Sequence, residues 1–149
     1  MKDKEKILLL LSSIIILLIF LYIIDLYNII RYVKIRYFCS KEYIHKYSKI
    51  KKCTNDKVII SLTTVPSRIK NIKSMLYSLL DQTVKVDKIY LNIPDQCKNE
   101  KYDVPEEYNE ICNIFNVGRD YGPGTKYIPT LLREKNCGVK IILVDDDYI

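Results

Sequence analysis

The stretch Lys140-Ile-Ile-Leu-Val-Asp-Asp-Asp-Tyr-Ile149 decides the fold that this sequence predicts. Its four apolar residues, Ile141 to Val144, predict a β-strand that is buried on both faces of a parallel sheet, because such strands are short apolar runs rich in β-branched side chains. Three carboxylates, Asp145 to Asp147, follow the strand directly. The segment therefore predicts an α/β domain with an acidic cluster at the carboxyl end of a strand.

Three adjacent carboxylates repel one another, and partial shielding from water strengthens the repulsion. A cation would offset this cost, and Mg²⁺ or Mn²⁺ commonly shares such carboxylates with the phosphates of a substrate. Side-chain alternation in an extended strand would send Asp145 and Asp147 to one side and Asp146 to the other. The pattern Asp-x-Asp is thus a candidate clamp for a metal and a diphosphate, and the alternative is a solvated acidic turn.

Upstream, the pattern predicts a strand, a helix and a second strand. The first strand is predicted over residues 57–64, and Val65-Pro-Ser-Arg68 turns it into the helix. Residues 87–93 predict the second strand, which Pro94 ends. The apolar residues of the helix recur at helical spacing and predict its buried face: Ile69, Ile72, Leu76, Leu79 and Leu80. This order implies a right-handed crossover and an open, mostly parallel sheet.

A glycine-rich loop follows the third predicted strand, which covers residues 114–117. The loop Gly118-Arg-Asp-Tyr-Gly-Pro-Gly-Thr-Lys126 has three glycines that expose backbone N–H groups, and a helix is predicted to begin near Thr125. A helix N-terminus beside a lysine favours anions, although an ordinary glycine-rich turn is the alternative. The helix is predicted to direct three side chains inward: Ile128, Leu131 and Leu132.

Ligands of open α/β sheets bind outside the carboxyl ends of the strands. Three segments with candidate binding residues are predicted to meet there: residues 63–68, the loop 119–126 and Asp145 to Asp147. Basic groups, glycine backbone and carboxylates together suit a nucleoside diphosphate with a divalent metal.

The N-terminal third has a different character. Residues 1–6 form a tail, residues 7–24 an almost unbroken apolar run, and residues 25–56 a basic, tyrosine-rich stalk. Eighteen helical residues span about 27 Å, close to the thickness of a bilayer core. No small-residue cleavage site follows the run, so an uncleaved single-pass anchor is favoured over a signal peptide. Basic residues flank both ends of the run, which leaves its orientation open.

Charge and composition exclude several classes of protein. The net charge of +6 comes from residues 1–52, which hold 11 Lys and Arg against 4 Asp and Glu, whereas residues 53–149 hold 13 against 14. The excess can meet anionic lipid head groups, and nucleic-acid binding has no electrostatic support. The single histidine, His45, argues against a histidine zinc site or a Ser-His-Asp triad. The 5 cysteines lack Cys-x-x-Cys spacing, and any disulfide pairing is left open.

Five motifs of residues 57–149 occur in an order that resembles a known family: Ser61-Leu-Thr-Thr-Val-Pro-Ser-Arg68, Ser78-Leu-Leu-Asp-Gln-Thr83, Ile89-Tyr-Leu-Asn-Ile-Pro94, Asp120-Tyr-Gly-Pro-Gly-Thr-Lys126 and Val144-Asp-Asp-Asp147. Together they are similar to the nucleotide-binding half of GT-A type glycosyltransferases, in particular the family-2-like enzymes. The resemblance implies a nucleotide-sugar donor, a Mn²⁺ or Mg²⁺ ion, and transfer of the sugar to an acceptor hydroxyl.

The resemblance also implies roles for individual residues. The first-strand segment would line the nucleoside pocket with Thr63, Thr64, Pro66 and Arg68. Asp120 and Lys126 would contact the base or the diphosphate. Asp147 would ligate the metal directly, and Asp145 would lie near the ribose or a metal-bound water.

Enzymes of this family continue well past Asp-x-Asp into an acceptor site. The resemblance therefore covers the N-terminal half only, and the acceptor site and catalytic base are expected from a C-terminal half. A truncated or split reading frame is one hypothesis, and the other is a non-catalytic, degenerate membrane-anchored fragment or interaction protein.

Overall fold

The structure, a computed structural model, describes residues 2–38, 41–52 and 56–147. The chain divides into two compact units, Met1–Phe38 and Cys39–Ile149. The first unit consists of helices α1 (Lys2–Ile23) and α2 (Leu26–Tyr37). Asp25 separates them in a left-handed conformation (φ 53°), and its carboxylate accepts a hydrogen bond from Asn28 Nδ2 at 2.7 Å.

Helix α1 is long and apolar enough to cross a membrane. Its segment Lys4–Ile23 has a mean hydropathy of 2.8, and none of its side chains is buried in the structure. Length and composition fit a membrane span, and a signal sequence near an N-terminus has the same properties.

The second unit is an α/β domain built on a four-stranded, fully parallel sheet. Its strands are β1 (Lys57–Leu62), β2 (Lys88–Ile93), β3 (Asn113–Asn116) and β4 (Val139–Leu143), and their order across the sheet is β3-β2-β1-β4. The register pairs Ile60 with Ile89 on one side and with Ile142 on the other. The prediction of an α/β fold with a parallel sheet is confirmed, with boundaries within a few residues of those expected.

The segment between β1 and β2 forms one side of the core. It folds as a 3₁₀ turn (Ile69–Asn71) and a short helix, α4 (Lys73–Ser78). The predicted inward face is confirmed, because all five of its apolar residues are buried, together with Met75 and Tyr77. Hydrophobic burial on this face holds the crossover against the sheet.

The prediction that the β4 strand is buried on both faces is wrong. Within the described residues β4 pairs only with β1, so it is an edge strand, and Ile142 and Leu143 are 47 % and 46 % exposed. An apolar run alone does not distinguish a central strand from an edge strand.

The predicted inward face of the last helix is wrong for Leu131 and Leu132, whereas Ile128 is half-buried. Helix α5 spans Ile128–Arg133 and follows a 3₁₀ turn, Gly122–Lys126. It buries Pro129 and Thr130, while Leu131 and Leu132 are 56 % and 64 % exposed. Six residues make fewer than two turns, so the position of Pro129 and the polar contacts of Thr130 set the orientation rather than an apolar stripe.

Helix α3 (Lys41–Ser48) lies in the second unit although the sequence assigned it to the stalk. Tyr43 is buried and packs edge-to-face on Tyr77, and the Val86 N–H donates to Tyr47 Oη at 2.8 Å. His45 is exposed. The other predicted domain boundaries stay predictions.

Three cysteines of the described chain, Cys97, Cys112 and Cys137, are free thiols. Burial raises the pKa of Cys112 to about 12, so this thiol is not nucleophilic at neutral pH. The other two cysteines, Cys39 and Cys53, lie outside the described residues. Their disulfide pairing, which the sequence left open, is therefore not described.

A polar clamp joins the end of α5 to the first two strands. Glu134 accepts hydrogen bonds from Lys57 Nζ at 2.5 Å and from Tyr90 Oη at 2.6 Å, and its side chain is 8 % exposed. The Lys57 and Tyr90 hydrogen bonds hold the pKa of Glu134 below its ordinary 4.5. Burial, followed by the Glu134 hydrogen bond, raises the pKa of Tyr90 to about 12, so Tyr90 stays a donor at neutral pH.

Glu134→Gln should lower the free energy of unfolding at pH 7 by about 1–2 kcal/mol, because a charge-assisted pair to a partly exposed lysine is lost. A depressed folded pKa means that the contribution is complete above pH 4.5 and disappears as the pH falls through that folded pKa. Urea unfolding of the detergent-solubilised chain between pH 3 and 7 should therefore show the difference shrinking towards acid. Glu106→Gln, an exposed carboxyl, is the matched control, and a difference that does not change with pH would contradict the assignment.

Candidate functional site

A buried polar network fixes the glycine-rich loop to the sheet. Ser61, Asn92 and Thr130 are fully buried in the centre of the domain. Asn92 Nδ2 donates to Ser61 Oγ at 3.1 Å and to Thr130 Oγ1 at 2.8 Å, and Ser61 Oγ donates to the carbonyl of Lys126 at 2.5 Å. The network thus ties β1, β2 and α5 to the last residue of the loop, and it sets where the Lys126 side chain begins.

A cleft of about 380 Å³ lies at the carboxyl end of the sheet, where ligands of open α/β sheets bind. Four segments that follow strands or connect them line the cleft. They contribute Thr63, Thr64, Val65 and Arg68 after β1; Cys97, Lys98 and Tyr102 after β2; Asp120, Gly122, Pro123 and Lys126 from the glycine-rich loop; and Asp145 and Asp146 after β4. Six predicted site residues are therefore brought together: Thr63, Thr64, Arg68, Asp120, Lys126 and Asp145.

Two basic side chains neutralise the carboxylates that follow β4. Lys126 Nζ lies 2.6 Å from Asp145 Oδ1, and Arg68 Nη1 lies 3.1 Å from Asp146 Oδ1. Thr64 Oγ1 also donates to Asp146 Oδ2 at 2.5 Å. The residues expected to bind the ligand therefore also supply the positive charge that the acidic cluster requires.

The three aspartates do not alternate as an extended strand would place them. Strand β4 ends at Leu143, so Asp145 and Asp146 both line the cleft. Asp146 has a side chain only 7 % exposed, whereas Asp145 and Asp147 are 62 % and 60 % exposed. Asp147 Oδ2 lies 4.0 Å from Arg68 Nη1. Two predicted site residues, Asp147 and Pro66, do not line the cleft. Sequence reasoning missed Asp146, because the expected alternation pointed it away from the site.

Asp120 shapes the glycine-rich loop from within. Its carboxylate accepts a hydrogen bond from the Gly122 N–H at 2.7 Å, and Thr125 Oγ1 lies 3.2 Å away. The Gly122 N–H is the main cause that lowers the pKa of Asp120, so this carboxylate is charged at neutral pH. Gly122 has φ 57°, a conformation that favours glycine. The predicted site residue is therefore in the cleft, where it also serves as a structural element of the loop.

The loop after β2 contributes a wall that the sequence did not predict. Tyr102 Oη donates to the Thr64 carbonyl at 2.9 Å, and burial raises the pKa of this phenol. Cys97 lies beside Asp120 and Tyr102, and burial raises its thiol pKa. In the sequence, Asn99 was the one available signal, since asparagine tolerates the left-handed conformation of a tight turn.

Comparisons with protein-family models, curated proteins and solved structures found no match to this chain. The described residues contain no cluster of three or more His, Cys, Asp or Glu side chains arranged to hold a metal ion. Any metal at this site would therefore take at most two ligands from such side chains of the described residues, with other oxygen ligands from water or a bound phosphate.

Asn92→Ala should destabilise the domain by about 1–3 kcal/mol, because the buried hydroxyls of Ser61 and Thr130 lose the amide group that donates to both of them. Hydrogen exchange of residues 122–127 should accelerate more than that of β1, since the loop loses its anchor. Asn113→Ala, at an exposed position on β3, is the control. Unchanged exchange of the loop would show that the network does not fix it.

Asp146→Ala should cost about 1–3 kcal/mol of stability, because a nearly buried acceptor for Thr64 and Arg68 is removed. Asp147→Ala should stay within about 0.5 kcal/mol of the wild type, since an exposed ion pair contributes little. Urea unfolding of both variants measures the contrast. Equal effects would mean that Asp146 has no special structural role.

Proposed function

We propose that this chain is a membrane-anchored, metal-dependent, GT-A glycosyltransferase-like protein that binds a nucleotide-sugar donor. The observation that carries the proposal is the convergence of the five family-like motifs on one domain, with six of the predicted site residues around a single cleft. A cleft of this volume accommodates much of a nucleoside diphosphate. The reaction would transfer the sugar to an acceptor hydroxyl on a glycan, protein or lipid.

In this proposal the residues of the chain bind and orient the donor. Thr63, Thr64 and Arg68 would contact the nucleoside, Pro66 would support that segment, and Asp120 would order the glycine-rich loop. Lys126 would contact the diphosphate, because it lines the cleft and its amino group pairs with Asp145, one of the two carboxylates proposed to hold the metal. Fixing the donor in this way supplies orientation, which is a large part of catalysis in group transfer.

A Mn²⁺ or Mg²⁺ ion is proposed at Asp145 and Asp147. These are the two exposed carboxylates of the cluster, whereas Asp146 is committed to Thr64 and Arg68. Two carboxylates suit a metal that shares its remaining coordination with phosphate and water. When bound, the ion would neutralise charge on the leaving diphosphate. Lys126 would then be released from Asp145 towards the phosphates.

Helix α1 is proposed as the anchor that keeps the domain at a membrane. An exposed apolar segment of 20 residues supports this assignment, and flanking lysines and arginines would contact lipid head groups. An acceptor presented at a membrane surface would then be within reach.

One observation favours a second function, that of a non-catalytic interaction protein. The edge strand β4 exposes Ile142 and Leu143, and helix α5, which precedes it in the chain, exposes Leu131 and Leu132. Exposed apolar groups beside an unpaired strand edge are typical of surfaces that bind another polypeptide. This hypothesis predicts that the cleft binds no nucleotide.

Nucleotide binding by the detergent-solubilised full chain, measured by isothermal titration calorimetry with and without Mn²⁺, distinguishes the two functions. We expect a nucleoside diphosphate to bind in a metal-dependent manner, and Asp147→Ala to weaken that binding at least about tenfold by removing a metal ligand.

Asp103→Ala is the matched control, because Asp103 is an exposed aspartate paired with Lys70 away from the cleft. Binding that ignores Mn²⁺, or an equal loss in the control, would contradict the metal assignment. No binding of any nucleoside diphosphate would favour the interaction protein.

A further inference from the structure

Lys98 differs from the other basic residues of the cleft in having no carboxylate partner. Arg68 is paired with Asp146 at 3.1 Å, and Lys126 with Asp145 at 2.6 Å. Within the described part of the chain, no hydrogen bond or ion pair engages the amino group of Lys98, and the residue is exposed. The cleft therefore contains three cations, of which one is available to a ligand without breaking an existing ion pair.

The backbone beneath Lys98 is strained. Lys98 and Asn99 both have positive φ, 51° and 67°, and reciprocal hydrogen bonds of 3.0 and 2.9 Å join Cys97 to Glu100. This is the arrangement of a type I′ turn, in which glycine is preferred at the second central position and asparagine, aspartate or glycine at the first. A lysine side chain at the first position is costly for the turn, and strained residues of this kind cluster at ligand sites.

Charge balance in the cleft indicates the same role. The lining residues include three carboxylates, Asp120, Asp145 and Asp146, and three cations. Without Lys98 the lining would be net negative and would repel an anion, whereas with it the lining is neutral. A lysine that lines such a cleft can bind a phosphate through its amino group, which acts as a point charge.

We infer that Lys98, presented by the turn Cys97–Glu100, binds a phosphate group of the ligand in the cleft. The inference rests on the proposed function, because it assigns that phosphate to the diphosphate of the donor. The turn places Lys98 in the lining of the cleft, where no carboxylate of the described residues pairs with its amino group.

The variant Lys98→Gly tests the role of the amino group separately from the role of the turn. Glycine relaxes the left-handed position, so the variant should fold at least as stably as the wild type while it loses the charge. Two controls complete the design. Asn99→Gly relaxes the same turn and keeps Lys98, and Lys101→Gln removes a nearby exposed charge that does not line the cleft.

The full chain in phosphatidylcholine nanodiscs would be titrated with uridine, guanosine, adenosine and cytidine diphosphates, with the matching nucleosides and with inorganic pyrophosphate. We expect Lys98→Gly to weaken binding of the preferred diphosphate about tenfold and to leave its nucleoside unaffected. Both controls should bind as the wild type does. The loss should also diminish at high salt, because exposed charges are screened.

Equal diphosphate binding by Lys98→Gly and the wild type would overturn the inference, as would the same loss for the nucleoside. If the wild type binds no nucleoside diphosphate, the proposed function fails. The pyrophosphate titration then decides whether Lys98 is a phosphate ligand. Pyrophosphate binding that depends on Lys98 would support the residue as a phosphate ligand, and binding that does not would overturn it.

Discussion

The site depends on one constraint, that the polar groups in the centre of the domain must be satisfied by each other. Asn92, Ser61 and Thr130 are buried, and their hydrogen bonds are completed by the carbonyl of Lys126. A buried polar group without a partner is costly, so this set has few alternative arrangements. The glycine-rich loop is therefore held against the carboxyl end of the sheet by the core itself.

The spacing of apolar residues in the sequence predicts which faces pack in the core, but it does not predict which elements lie at the edge of the sheet. The helical spacing of Ile69, Ile72 and Leu76 identified a buried face correctly, because the face covers more than one turn against a sheet. The exposed positions of Leu132 and Ile142 could not be read in the same way. Whether an apolar strand has one neighbour or two is decided by the assembled sheet, which local sequence does not encode.

Much of the cleft could be anticipated because parallel strands bring their carboxyl ends together. Thr64 and Asp145 each closely follow such an end, so topology alone makes them neighbours. Lys126 lies further from a strand end, and the hydrogen bond from Ser61 to its carbonyl fixes its position. Asp146 and Lys98 escaped prediction for different physical reasons. The first lies past the end of its strand, where alternation no longer holds, and the second depends on a turn conformation that lysine rarely adopts.

Strand order also has a kinetic consequence. β1 pairs with β4, so Lys57 stands beside Val139, and the Thr64–Asp146 contact closes a separation of 82 residues. Loop-closure entropy opposes contacts between distant segments until the intervening chain has collapsed. The cleft can be complete only after β4 has joined the sheet. A nascent chain would therefore assemble this cleft late, after β4 has been synthesised, rather than early.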